Sequence, residues 1–169
     1  YGIEPNELES AYARANDICL VGSTLNDLKP NDLYDVITLW DVLEHIPEPI
    51  NYLKAIAANL TSNGSVFVQV PSADSLAARI MRGSCNMFDG IEHITLFSLK
   101  SLKTTFQRAG YRCTACHTII SELHAINNYL SHQPDPYLSK LDNEINILNL
   151  DPDQIEKDNL GYKIQAVFT

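Results

Sequence analysis

The run Asp35-Val36-Ile37-Thr38-Leu39-Trp40 carries apolar side chains at positions that fall on both faces of an extended chain. A strand of this kind belongs inside a parallel sheet, where crossover helices cover both sides. The run is therefore expected to be central, and its neighbours in sequence alternate between apolar β-branched stretches and stretches of helical period, the pattern of an α/β fold. Asn6 stands where an N-cap would, Glu9 follows three residues later, and Leu8, Ala11, Tyr12 and Ala15 recur at helical spacing. A strand is expected at Ile18 to Val21. Pro47 and Pro49 introduce a helix with the stripe Ile50, Leu53, Ile56, Ala57 and Leu60, which Asn63-Gly64 is expected to stop. Ser65 to Val70 reads as a strand ended by Pro71, followed by a loop region to about Thr95. Ser98 caps a helix carrying Leu99, Leu102, Phe106 and Ala109, and Gly110 closes it. A strand from Tyr111 to Ile120, two helices within Leu123–Leu150 and a last strand from Tyr162 to Phe168 complete a single domain over 1–169, with residues 121–160 as a helical insertion before the last strand.

Charge narrows the partners. The 169 residues hold 12 Lys and Arg against 21 Asp and Glu, a formal charge of −9, and a chain so acidic repels nucleic acid and anionic membrane surfaces. No apolar run reaches the ~18–20 residues of a membrane span, and no secretory leader opens the sequence. The expectation is a cytoplasmic protein acting on small molecules, with no nucleic-acid or membrane partner; the sequence is silent on oligomeric state. Because it begins Tyr1-Gly2-Ile3-Glu4 without Met, the chain is expected to be a fragment of a longer polypeptide.

Four stretches taken together carry a resemblance: YGIEPN at 1–6, YDVITLWDVLEHIPEP at 34–49, LTSNGSVFVQVPS at 60–72 and EHITLFSLKSLKTTFQRAGY at 92–111. In order and spacing they resemble the class I S-adenosylmethionine-dependent methyltransferases, in the group with ubiquinone-biosynthesis and sugar-modifying members. The resemblance covers roughly residues 1–120, and LGYKIQAVF near the end is similar to the family's closing strand. It implies a Rossmann-like, doubly wound, mostly parallel sheet with an antiparallel last strand. It also implies S-adenosylmethionine as cofactor and a small methyl acceptor, either a sugar or polysaccharide precursor or a quinone-like phenol.

An acidic residue at the carboxyl end of a parallel strand can accept hydrogen bonds from both ribose hydroxyls, and Glu4 stands at such a place. By resemblance Glu4 holds the cofactor ribose with Pro5 beside the adenine. Ser23, Thr24 and Leu25 border the adenine, and Trp40 and Asp41 face the methionine part. Glu92-His93 is the pair expected to do proton chemistry, since a hydroxyl or carbon acid must lose its proton as it is methylated and a His near neutrality suits that task. In deoxysugar-methylating members a Glu-His pair in the matching place is the acid/base, whereas in others it pins the loop over the site; both roles stay open here. Residues similar to Asp41, Glu44 and His45 hold a divalent cation in ubiquinone-pathway members. In this chain an Asp replaces the longer first arm, and a turn stabilised by carboxylates is the favoured reading, with no metal expected.

The family's most diagnostic element, an acidic-x-G-x-G turn after a strand, is missing: the seven glycines, at 2, 22, 64, 83, 90, 110 and 161, never occur as G-x-G. In this fold that strand lies between those beginning at Tyr1 and Tyr34, so the sheet is expected to lack its first strand and the chain to be the C-terminal two-thirds of an enzyme, inactive alone. The alternative is a domain of the same fold that has lost catalysis and serves as an interaction or regulatory module. Cys113-Thr114-Ala115-Cys116-His117 matches the haem-attachment pattern, but in a regular strand a spacing of three sends the two thiols to opposite faces, so no haem is expected.

Overall fold

The computed structural model describes residues 1–139 and 147–169. Its first unit is small: Gly2–Ile3 (β1) and Leu20–Gly22 (β2) pair in parallel, joined by the helix Glu7–Ala15 (α1). Asn6 caps α1 through Oδ1, which accepts from the N–H groups of Leu8 and Glu9. No residue of α1 is buried, and Leu8 is 82% exposed.

The second unit is a four-stranded sheet. Tyr34–Trp40 (β3) pairs in parallel with Leu60–Pro71 (β4), and the order continues to the last strand, Lys163–Phe168 (β6), and then to Cys113–Ile119 (β5). The last strand runs antiparallel to both neighbours, so an α/β sheet with an antiparallel final strand is what the chain forms. Val66, Val68 and Val70 alternate along β4 into a core closed by two helices, Pro49–Ala57 (α2) and Leu99–Arg108 (α4). There Phe106 stacks on Phe168 with ring centroids 3.7 Å apart, and the buried Tyr111 hydroxyl donates to the Leu53 carbonyl at 2.9 Å. Full burial of such side chains contributes roughly 1.5–3 kcal/mol each, which is why this half carries the fold.

Three local expectations change. β3 is not covered on both faces: Val36 is 59% and Trp40 54% exposed, and β3 lies at one edge of its sheet. The helix stripe ends at Ala57, and Leu60 opens β4, because Asn63-Gly64 is a bulge inside the strand rather than a stop; Tyr34 pairs with Leu60 but Val36 with Ser65. A side chain at 64 would sit 3.0 Å from the Thr61 carbonyl and 3.1 Å from that of Tyr34, a tight fit that glycine relieves. Within 72–95 the chain forms a helix, Leu76–Met81 (α3), capped by Ser75 and packed by Ala77, Ala78 and Met81 against Ala125 and Ile126 of Leu123–Leu130 (α5). The second helix expected before residue 150 falls in part on 140–146, outside the described residues, and a short helix at Pro152–Lys157 (α6) precedes β6.

The two units share no strand pairing, and a cleft of about 800 Å³ opens between β1 and β3. The N–H of Asp41 bonds to β4 through the Gln69 carbonyl. By the alternation of a strand, the backbone of Trp40 and Thr38 faces the other way, into the cleft. Among the described residues no helix is long and apolar enough to cross a membrane.

Candidate functional site

The cleft is lined by Glu4 and Pro5 from the end of β1, by Ser23, Thr24 and Leu25 after β2, and by Trp40 and Asp41 at the end of β3. The residues singled out in the sequence for cofactor contact therefore meet around one opening. Glu4 is held by its own backbone, whose N–H donates to the Gly22 carbonyl, and one carboxylate oxygen accepts from the Asn6 N–H at 2.8 Å.

The turn after β2 is braced by a residue the sequence reading passed over. Asp27 Oδ2 accepts the N–H groups of Thr24 at 2.8 Å and Ser23 at 2.9 Å, and these bonds hold the Asp27 carboxyl below the usual carboxylate range. A side chain at Gly22 would meet Asp27 Cβ at 2.1 Å, so glycine is required for Asp27 to close the turn. The spacing Thr24-x-x-Asp27 was the available signal. Trp40 packs on Phe67 with centroids 4.6 Å apart while its outer part faces the cleft.

Asp41 has a left-handed backbone, φ 51°, a conformation that Asp tolerates and that gathers at functional sites. Its carboxylate is engaged across the sheet. Lys163 Nζ lies 2.8 Å from Oδ1, Gln69 Nε2 donates to Oδ2 at 3.1 Å, and Gln165 in turn donates to Gln69 at 2.9 Å. Asp41, Glu44 and His45 thus do not converge as a ligand set. Among the described residues, the donor atoms that lie within 4.8 Å of one another at this edge are those of Glu44, His45 and His93.

Glu44 sits in the 3-10 turn Leu43–His45, is only 2% exposed, and neither carboxylate oxygen has a hydrogen-bond partner. Burial raises its pKa, the Asp41 charge adds to the rise, and its own backbone N–H, His45 and Lys163 oppose it. Leaving a buried polar group unpaired costs ~1–3 kcal/mol. The Glu44 carbonyl accepts from Ile94 and Thr95, and His45 Nδ1 bonds to the Glu92 carbonyl at 2.8 Å. The turn and the 89–95 loop are thereby laced together. His93 is partly buried on this loop and stacks on His45, centroids 5.1 Å apart. Glu92 itself is exposed and contributes its carbonyl, while the carboxylate beside the His93 ring is that of Asp89.

Outside this edge, the spacing argument for the cysteines gives way. The register of β5 against β6 shifts between Cys113 and Ala115, and across this irregularity both Cys113 and Cys116 pack against the main core. Burial pushes the Cys116 thiol up to about 11, which suits an inert packing residue.

Comparison with known proteins follows the same lines. A family model described as a methyltransferase domain matches residues 1–115. The ubiquinone biosynthesis O-methyltransferase of Aeromonas salmonicida is 38% identical over 50 residues, 30% of this chain and 21% of that protein. The C-methyltransferase NovU of Streptomyces niveus is 38% identical over 76 residues, 44% of this chain and 17% of that protein. The chain thus spans about a fifth of the length of these two relatives. Among solved structures, a SAM-dependent methyltransferase from Thermotoga maritima superposes with a TM-score of 0.64 at 16% identity, over 99% of this chain and 71% of that one. One from Archaeoglobus fulgidus gives 0.61 at 17% identity, over 99% and 74%. These likenesses bear on the fold, and the family match covers more than half of the sequence: the chain belongs to the methyltransferase domain family.

Proposed function

We propose that the chain forms most of an S-adenosylmethionine-dependent methyltransferase for a small acceptor, a sugar or polysaccharide precursor or a quinone-like phenol. The observation that carries this reading is the cleft between β1 and β3, where Glu4, the Asp27-braced turn and the Trp40–Asp41 strand end meet. Those residues fit the cofactor's parts. Glu4 offers a carboxylate to the ribose hydroxyls, Pro5 and the Ser23–Leu25 turn border a planar base, and Trp40 and Asp41 stand where an amino-acid moiety would lie. When bound, the cofactor supplies a methyl group on a sulfonium. The protein's share is alignment and proton removal. His93 takes the acceptor's proton, and the loop carrying it is fixed to the Glu44–His45 turn.

The same cleft is the proposed place of one more strand with a Gly-rich turn, supplied by a longer polypeptide. It would pair with the open backbone edge of β3, which otherwise leaves donors and acceptors unmatched. Isothermal titration of the folded full-length protein with S-adenosylmethionine and S-adenosylhomocysteine tests the reading. Saturable binding at one site per chain is expected, and no binding by a folded sample overturns it.

A further inference from the structure

We propose that Asp89 is the positioning residue for His93, the group that orients the imidazole and offsets the charge it acquires. The inference rests on the reading of His93 as proton acceptor and names the partner that this role requires. Asp89 uses its two oxygens differently. Oδ1 accepts the N–H groups of Ile91 at 2.8 Å, Glu92 at 2.9 Å and His93 at 3.3 Å, which folds the loop around the carboxylate. Oδ2 lies 2.8 Å from His93 Nδ1.

The Met87 carbonyl is 3.1 Å from the same ring nitrogen. Carboxylate and carbonyl oxygens only accept, so Nδ1 carries a proton, and in the neutral ring Nε2 keeps its lone pair. That is the tautomer a proton acceptor needs at Nε2. When Nε2 takes the proton of an acceptor's hydroxyl or carbon acid, its lone pair forms the new N–H bond and the electrons of the broken O–H or C–H bond stay on the acceptor. The ring becomes an imidazolium next to a fixed negative charge.

Asp89 suits that duty because its ionised form is locked in by the loop. The Ile91 N–H and those of Glu92 and His93 hold its carboxyl below the usual range. The other groups around the ring are His45, stacked on it, Glu44 in the same turn, and Glu92 next to it in the chain. Among the described residues, the carboxylate in ion-pair contact with Nδ1 is that of Asp89. Partners that orient a metal-bound imidazole through its other nitrogen are worth about 10–100-fold in metal affinity or activity, and an effect of that order or larger is expected for a proton-accepting one.

The test is Asp89→Asn in the full-length enzyme, whose amide oxygen still accepts the loop N–H groups while the charge is gone. Asp89→Ser is the second variant, keeping a short acceptor for the loop but not reaching Nδ1. We expect kcat to fall about 10–100-fold or more, S-adenosylmethionine affinity and Tm to stay near wild type, and the His93 Nδ1–H proton resonance to move upfield or vanish. Wild-type kcat with an unchanged resonance overturns the proposal. So does a parallel loss of affinity and Tm with the resonance unchanged, since that outcome makes Asp89 a loop residue only. His93→Ala separates the two readings: if it leaves kcat intact, the proton-acceptor role fails, while the resonance still decides whether Asp89 holds the ring.

Discussion

The two halves of the molecule are built to different standards. The β3–β4–β6–β5 sheet with α2 and α4 encloses a core in which Leu53, Val66, Val68, Leu102, Phe106 and Phe168 are fully buried. The β1–α1–β2 unit has no buried residue at all, and Leu8 and Tyr12 point outward from its helix. One half is therefore held by its own packing. The other is held by a short parallel ladder, one helix cap and the Asp27 turn, and in the proposed function it gains its remaining support from what occupies the cleft. Local stability of this uneven kind is common where ligands bind.

The same division separates the proposed tasks, and mutations can break them apart. The largest expected effect is His93→Ala. As proton acceptor it should lower kcat by roughly 10²–10⁴ while cofactor affinity holds; joint loss of affinity and thermal stability would instead mark a loop-pinning role. Next comes packing. Phe106→Ala should cost about 3–5 kcal/mol of unfolding free energy, whereas Leu8→Ala, at an exposed site, should stay within about 0.5 kcal/mol; chemical denaturation compares them directly. Equal costs would erase the contrast between the halves.

Glu4→Ala should weaken S-adenosylmethionine by about 1.5–3 kcal/mol, the range for hydrogen bonds to a charged group, without changing the rate at saturation. Unchanged affinity would remove its ribose role. The smallest effect concerns Glu44. Burial places its folded-state pKa above the ordinary value of 4.5, so the folded protein binds this proton more tightly than the unfolded chain. Its ionisation costs the fold nothing below pH 4.5 and destabilises increasingly as pH rises through the raised value. Glu44→Gln should therefore raise Tm by a few degrees at pH 8 and leave it unchanged near pH 4. A thermal-melt series across pH reads both ends, and a loss at pH 8 would show that the charge is stabilised by its surroundings.

Much of this was legible in the residues. Asn6 marks the start of α1, Ser98 the start of α4, and the apolar runs place β3, β4 and β6 within a few residues. What escaped reading depends on tertiary context. Asn63-Gly64 looks like a helix stop, but it is a bulge inside β4, where the register against β3 shifts between Tyr34 and Val36. The small residues of 72–95 hide α3, a helix of six residues whose support is α5, distant in sequence. Composition marks β3 as a strand buried on both faces, yet it lies at the edge of its sheet with Val36 and Trp40 exposed. The candidate site divides in the same way: Glu4 and His93 stand in recognisable motifs, whereas Asp27 and Asp89 act through loop backbones that no periodicity reveals.

Hydrogen exchange with and without S-adenosylmethionine tests the central claim most directly, because it reads both halves in one sample. In the full-length protein the account predicts that the cofactor slows exchange in residues 1–24 and at the strand end 40–41, while the core amides of β4 and β6 change little. Protection gained equally across the molecule, or confined to β5 and β6, would contradict a binding cleft between β1 and β3.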